Sequence, residues 1–242
     1  VEHGAQFQGG LEVTEPAFGF QEVLVAERHV LGGQVGVAGG EQVLAVEAFL
    51  GAGVAGGVAT VLQRNWSDHE LAAALAVTRP RVVLVDEGRP AEVRRHAPDA
   101  VVVSVTTAGV SDVLDAAGRG TATPAPSAPD RPVEEEAPFY AGFTSGSTGR
   151  PKGFVRSHRS WLRSFEASEV FGIAAGDHVL APGPLDHSLF LYAAIHGLSA
   201  GATVHVHRRF TAPEVLATLA AWPITCVYLV PTMLSALLRA AD

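Results

Sequence analysis

Several short runs in this chain are apolar at nearly every position rather than at every second one. "GVATVL" (57–62), "RVVLVD" (81–86) and "AVVVSV" (100–105) are of this kind. A strand with one wet face alternates, whereas a run without alternation suits a strand buried on both faces, as in parallel sheets covered by helices. The spacers carry helical signals. "EQVLAVEAFLGAG" (41–53) has apolar residues at helical spacing, and Ser67-Asp68-His69-Glu70 has the form of a capping box opening "LAAALAVT". With "QVGVA" (34–38) as a further strand, the spacing predicts an α/β fold of largely parallel sheets flanked by helices.

The same rhythm returns later. "FYAGFTS" (139–145) reads as a strand, "GFVRSH" (153–158) as extended, and "RSWLRSFEASEVFG" as helical. "HVLAP" (178–182), "ATVHVH" (202–207) and "TCVYLV" (225–230) read as strands. "HSLFLYAAIHGLSAG" and "PTMLSALLRAAD" read as helices, and Thr211-Ala212-Pro213-Glu214 as a third helix start. Between the halves, "GRGTATPAPSAPDRPVEEEAP" (118–138) is rich in Pro, Ala, Ser and Thr and then acidic, as an exposed linker or surface loop would be. The expected organisation is a first β/α segment over 1–117, this linker, and a second β/α segment over 139–242.

The 242 residues suffice for a sizeable core, and the formal net charge of −8 gives no general basic footprint for nucleic acid. A single cysteine, Cys226, excludes an internal disulfide and suits a reducing, cytoplasmic compartment. Residues 43–62 formally resemble a membrane span, but Glu47 lies within them, and the glycine cluster reads better as the break between a buried helix and a buried strand, so no span is expected.

One segment stands apart. "FTSGSTGRPKG" (143–153) has three glycines, four hydroxyl residues and the only lysine of the chain, Lys152; the other sixteen of its 17 Lys and Arg residues are arginine. Such a loop offers closely spaced N–H groups and hydroxyl donors, and its glycines let backbone approach an anion. Lysine adds a compact charge on a flexible stem, suited to following the phosphates of a nucleotide, where arginine prefers a fixed bidentate geometry. A plain flexible Gly-Ser turn is the bland alternative. The loop is not a Walker A sequence, since residues 146–152 read G-S-T-G-R-P-K, and no G-x-S-x-G elbow frames Ser145 or Ser147.

This segment closely resembles the phosphate-binding signature of the adenylate-forming superfamily, which includes acyl-CoA synthetases, peptide-synthetase adenylation domains and luciferases. The resemblance extends over most of residues 33–240 and is greatest to bacterial fatty-acyl-CoA ligases. It implies that Thr144, Ser145, Gly146, Ser147, Thr148, Gly149 and Lys152 hold the β- and γ-phosphates of ATP, with Mg2+ neutralising their charge. A carboxylic acid, expected to be a fatty acid, would be adenylated, and coenzyme A, or a carrier-protein thiol in an adenylation domain, would take the acyl group. His187 falls where the family has an aromatic residue or histidine near the acyl and α-phosphate pocket; its plainer reading is a helix N-terminal histidine in packing. Family members are roughly twice this length. The adenine- and ribose-binding motifs and the mobile domain with a second lysine have no counterpart here, so the chain resembles the N-terminal part of a ligase. As a fragment it is expected to be inactive, with the C-terminal half as a partner; a catalytically inactive nucleotide- or partner-binding module is the alternative.

Other signals are weaker. Gly51 to Gly56 matches G-x-G-x-x-G, but it follows a helical pattern and precedes a strand, the reverse of a dinucleotide fingerprint. His205 and His207 share a strand face without a third ligand at metal spacing. Cys226 reads as an inert buried thiol, Arg208-Arg209 as a solvated strand end, and Glu134–Glu136 as a solvated acidic run. A hydrolase built on Ser145 or Ser147 with His187 lacks its elbow.

Overall fold

The computed structural model describes residues 11–13, 34–38, 42–86, 89–105, 133–144, 152–167 and 169–241. Its elements in chain order begin with β1 (Leu11–Val13), β2 (Gln34–Ala38), α1 (Gln42–Val54), β3 (Val58–Val61), α2 (Asp68–Thr78), β4 (Val82–Asp86), α3 (Pro90–His96) and β5 (Val101–Val105). The order continues with β6 (Pro138–Thr144), β7 (Lys152–Ser157), α4 (His158–Glu166), a 3-10 turn at Glu169–Phe171, β8 (His178–Ala181) and α5 (Ser188–Ser199). It closes with β9 (Thr203–Val206), α6 (Ala212–Ala221), β10 (Cys226–Val227) and α7 (Pro231–Ala241). Two compact units result, one of residues 20–163, the other of residues 1–19 and 164–242.

The unit of residues 20–163 holds a six-stranded sheet in the order β5-β4-β2-β3-β6-β7. Every neighbouring pair is parallel except β6 with β7. Strand β6 pairs with β3 through Ala59↔Tyr140 and Thr60↔Ala141. Strands β6 and β7 therefore share a sheet with the early strands, and the units divide at 19/20 and 163/164 rather than around the Pro- and Ser-rich stretch. Most of that stretch lies outside the described residues. Its last part does not: Glu135 and Glu136 hold the Arg159 guanidinium at 2.8 and 2.6 Å, so the acidic run is exposed but ion-paired to the first turn of α4.

The glycine cluster separates helix from strand as expected. Helix α1 is 13 residues long, Gly56 turns with φ 72°, and β3 follows. Among the described residues no helix is long and apolar enough to cross a membrane. Burial raises the Glu47 carboxyl above its ordinary pKa. Helix α2 starts with the capping box read in the sequence: Ser67 N donates to Glu70 Oε2 at 2.8 Å, and Glu70 N donates to Ser67 Oγ at 3.3 Å. Trp66 and Leu71 occupy the two positions of a hydrophobic staple and share a core cluster with Leu75, Val83, Val85 and Val93. A second, aromatic cluster centres on Phe49, whose ring centroid lies 4.8 Å from Phe139, 5.6 Å from Tyr140 and 5.5 Å from Trp161.

The other unit holds a parallel four-stranded sheet in the order β1-β9-β8-β10. Helix α5 packs on it with Leu191, Ala193 and Ala194 fully buried. At Gly197 the helix comes so near the sheet that a Cβ would stand 2.7 Å from Val204. Two extents differ from the sequence expectation, and two elements are new. The helix expected through Gly172 ends at Glu166 and resumes only as the 3-10 turn. The strand expected over 225–230 pairs only at Cys226 and Val227. Helix α3 and strand β1 have no counterpart in the sequence reading.

Candidate active site

The return of β6 into β7 sets both ends of the glycine-serine loop on neighbouring antiparallel strands. The register runs Ala141↔Val155, Gly142↔Phe154, Phe143↔Gly153 and Thr144↔Lys152. Thr144 and Lys152, the first and last of the phosphate-loop candidates, thus form the last rung before the loop. The Thr144 hydroxyl is 3.5 Å from the Lys152 carbonyl oxygen, at the outer edge of hydrogen-bond range. Both residues are exposed. Ser145, Gly146, Ser147, Thr148 and Gly149 lie outside the described residues. The loop joins strand to strand, unlike the strand-to-helix Walker A loop that the sequence had excluded.

The rungs below are held from inside. The Phe143 ring meets Trp66 edge to face, with centroids 5.2 Å apart and planes at 85°. It also lies over Gly153, where a Cβ would stand 3.5 Å from Phe143 Cε1. One rung further, Gly142 admits no side chain, because a Cβ there would come within 2.7 Å of Tyr140 Oη and closer still to Phe154. Tyr140 is buried, and desolvation pushes its phenol up to about 12, with Arg156 opposing, so it stays neutral near pH 7. Arg156, Tyr140's partner across the strands, donates from Nε to Ser160 Oγ at 2.9 Å and sits 5.3 Å over the Trp161 ring.

His187 belongs to the other unit and is the N-cap of α5, with φ −94° and ψ 122°. Its Nδ1 accepts weakly from Leu189 N at 3.4 Å, so the neutral ring carries its proton on Nε2. The ring is exposed and packs 5.4 Å from Phe190. Gly183 lets Phe190 in: a Cβ there would come within 2.6 Å of Phe190 Cδ2.

The paired strand histidines are packing groups. His205 and His207 are both buried; His205 Nε2 is 2.9 Å from His178 Nδ1, and His207 Nε2 is 3.0 Å from Thr218 Oγ1. Among the described residues no three His, Cys, Asp or Glu side chains gather as metal ligands. Cys226 is half-buried rather than buried, and burial raises its thiol pKa, with Asp177 adding to the shift. Arg208 and Arg209 are exposed just past the end of β9.

A largely parallel α/β sheet ending in a hairpin that carries this loop belongs to a recognisable class of enzymes. The family model for AMP-binding enzymes matches residues 22–242, and the chain belongs to that adenylate-forming family. It is 35 % identical over 195 residues to the uncharacterized acyl-CoA ligase YhfT of Bacillus subtilis (strain 168), covering 80 % of this chain and 38 % of that protein. It is 40 % identical over 103 residues to VraA of Staphylococcus aureus (strain COL), whose name assigns it provisionally as a long chain fatty acid-CoA ligase; the match covers 41 % of this chain and 22 % of VraA. Among solved structures, ATP-bound MatB from Rhodopseudomonas palustris superposes with a TM-score of 0.79 at 21 % identity, over 98 % of this chain and 49 % of MatB. At that identity the likeness is one of fold. The chain spans half or less of the length of these relatives.

Proposed function

We propose that this chain supplies the ATP-phosphate site of an acyl-CoA ligase, which activates a carboxylic acid as its acyl-adenylate and passes the acyl group to coenzyme A. The observation that carries this reading is the hairpin itself: the chain's only lysine and Thr144 stand exposed on one rung at the two ends of a loop of glycines and hydroxyls. Lys152 would pair with the β- and γ-phosphates, and the Thr144 hydroxyl would donate to a phosphate oxygen. Ser145, Gly146, Ser147, Thr148 and Gly149 would supply N–H and hydroxyl donors between them. Mg2+ would enter with ATP, held by the nucleotide, and would help to balance the charge of its phosphates.

The substrate carboxylate would attack the α-phosphorus and pyrophosphate would leave; the thiol of coenzyme A, giving its proton to solvent, would then attack the acyl carbonyl, forming the thioester and releasing AMP. The work of the loop is to hold the leaving group in line and to balance its growing charge. His187, with its proton on Nε2 and its ring exposed, would donate to an oxygen of the acid or of the α-phosphate. The acid is read as aliphatic, and as fatty from the names of the relatives. The complete reaction is proposed for the whole ligase, in which a C-terminal part would bring a second lysine. ATP–pyrophosphate exchange across acids from acetate to long-chain fatty acids tests the reading. Exchange that depends on one acid class supports it and names the substrate; a full-length ligase that exchanges with no acid overturns it.

A further inference from the structure

Arg89 stands at the start of α3, but its side chain serves another element. Its Nε donates to Glu92 Oε2 at 2.6 Å, and its Nη1 lies 2.9 Å from the carbonyl oxygen of Trp66 and 3.2 Å from that of Arg64. A single fork thus ties α3 to the turn after β3. That turn presents Trp66, whose buried indole meets the Phe143 ring edge to face at 5.2 Å. Phe143 precedes Thr144 on β6 and lies over Gly153, which follows Lys152 on β7. The ring therefore touches both strands one rung below the loop.

We infer that Trp66 and Arg89 are positioning residues for the phosphate loop, acting through the Phe143 ring on the Thr144–Lys152 rung. The inference rests on the reading of that loop as the ATP-phosphate site. It gives each residue type a reason. An indole supplies a wide, rigid edge for the T-shaped contact. A guanidinium holds a carboxylate and two carbonyls at once, which a lysine ammonium at the same point cannot do with the same geometry.

The chain offers its own reporter. Because Lys152 is the only lysine, a lysine-specific protease cuts the protein at one bond, Lys152–Gly153, on the rungs in question. Cleavage of a native protein follows local opening, so its rate reads how firmly these rungs are held. The experiment measures this rate, Mg·ATP affinity and thermal stability for wild type, Trp66→Leu, Trp66→Phe, Arg89→Lys and Val83→Ala, with affinity and stability alone for Lys152→Ala.

Trp66→Leu and Arg89→Lys should be cut about three- to tenfold faster and bind ATP weaker by a similar factor, the size of one aromatic contact. Trp66→Phe should restore both values. Val83→Ala, a cavity in the same core, should lower the melting temperature without speeding the cut. The inference is overturned if Trp66→Leu and Arg89→Lys match wild type in both readouts, or if Val83→Ala speeds the cut as much as they do. Loss of ATP binding in Lys152→Ala alone would then leave the phosphate-site reading standing. Wild-type protein that binds no ATP overturns that reading and this inference together.

Discussion

Thr144 and Lys152 face each other across the last rung of the β6–β7 hairpin, with the Thr144 hydroxyl 3.5 Å from the Lys152 carbonyl oxygen. The seven residues between them leave and return on adjacent strands of one sheet. The side chains at the two ends of the loop therefore need no further element to bring them together.

Lys152→Arg keeps the charge but replaces a compact ammonium with a planar fork. If the site requires a point charge that follows moving phosphates, Mg·ATP affinity falls about tenfold, while the melting temperature stays put because the side chain is exposed. Parallel ATP titrations and melts of the two proteins check this.

Two glycines of the hairpin should respond very differently to alanine. At Gly142 the new Cβ would lie 2.7 Å from Tyr140 Oη in a buried strand, and such overpacking costs about 1–3 kcal/mol. At Gly153 the nearest atom, Phe143 Cε1, is 3.5 Å away, an ordinary contact, so Gly153→Ala leaves stability nearly unchanged. Denaturant unfolding of both variants decides.

The α2 cap gives a pH-dependent contribution. The Ser67 amide and hydroxyl hold the Glu70 carboxyl below its ordinary value of 4.5. A carboxyl lowered in the fold stabilises fully above its unfolded pKa, and that contribution is lost as pH falls through the folded one. Ser67→Ala should cost about 1 kcal/mol at neutral pH. Glu70→Gln should flatten the acid side of the stability curve below pH 4.5; an unaltered curve would remove the cap from the account.

His196 should act in a higher window. Its Nδ1 lies 2.7 Å from the Tyr228 hydroxyl oxygen, its ring stacks on Phe165 at 4.9 Å, and burial lowers its pKa from 6.5. The fold therefore holds the neutral ring, while the unfolded chain takes up a proton below about pH 6.5. The stability contribution is present above 6.5 and lost as pH falls through the folded value. NMR titration of the His196 ring should give a midpoint below 6.5, and a midpoint above it would reverse the sign.

Much of the architecture is legible locally. The runs at 57–62 and 81–86 are apolar because their parallel strands are largely buried on both faces, whereas at the sheet edge Val101 of the third run is exposed; Ser67 and Thr211 mark helix starts through their own side chains. What escapes the sequence depends on distant partners. Helix α3 is short, and its arginines and histidine hide it; Arg95 and His96 both bond Asp68 on α2. The acidic run looks merely solvated until Arg159 is placed beside it. Within the candidate site, Thr144 and Lys152 are recognisable from the loop. Trp66 and Arg89 are not, because their link to it runs through contacts between residues 23 and more positions apart.

Calorimetric titration of Mg·ATP into wild type and Lys152→Ala tests the central claim most directly. The account predicts saturable binding by wild type, weakened about tenfold or more in Lys152→Ala at an unchanged melting temperature. Equal affinity in the two proteins would contradict it.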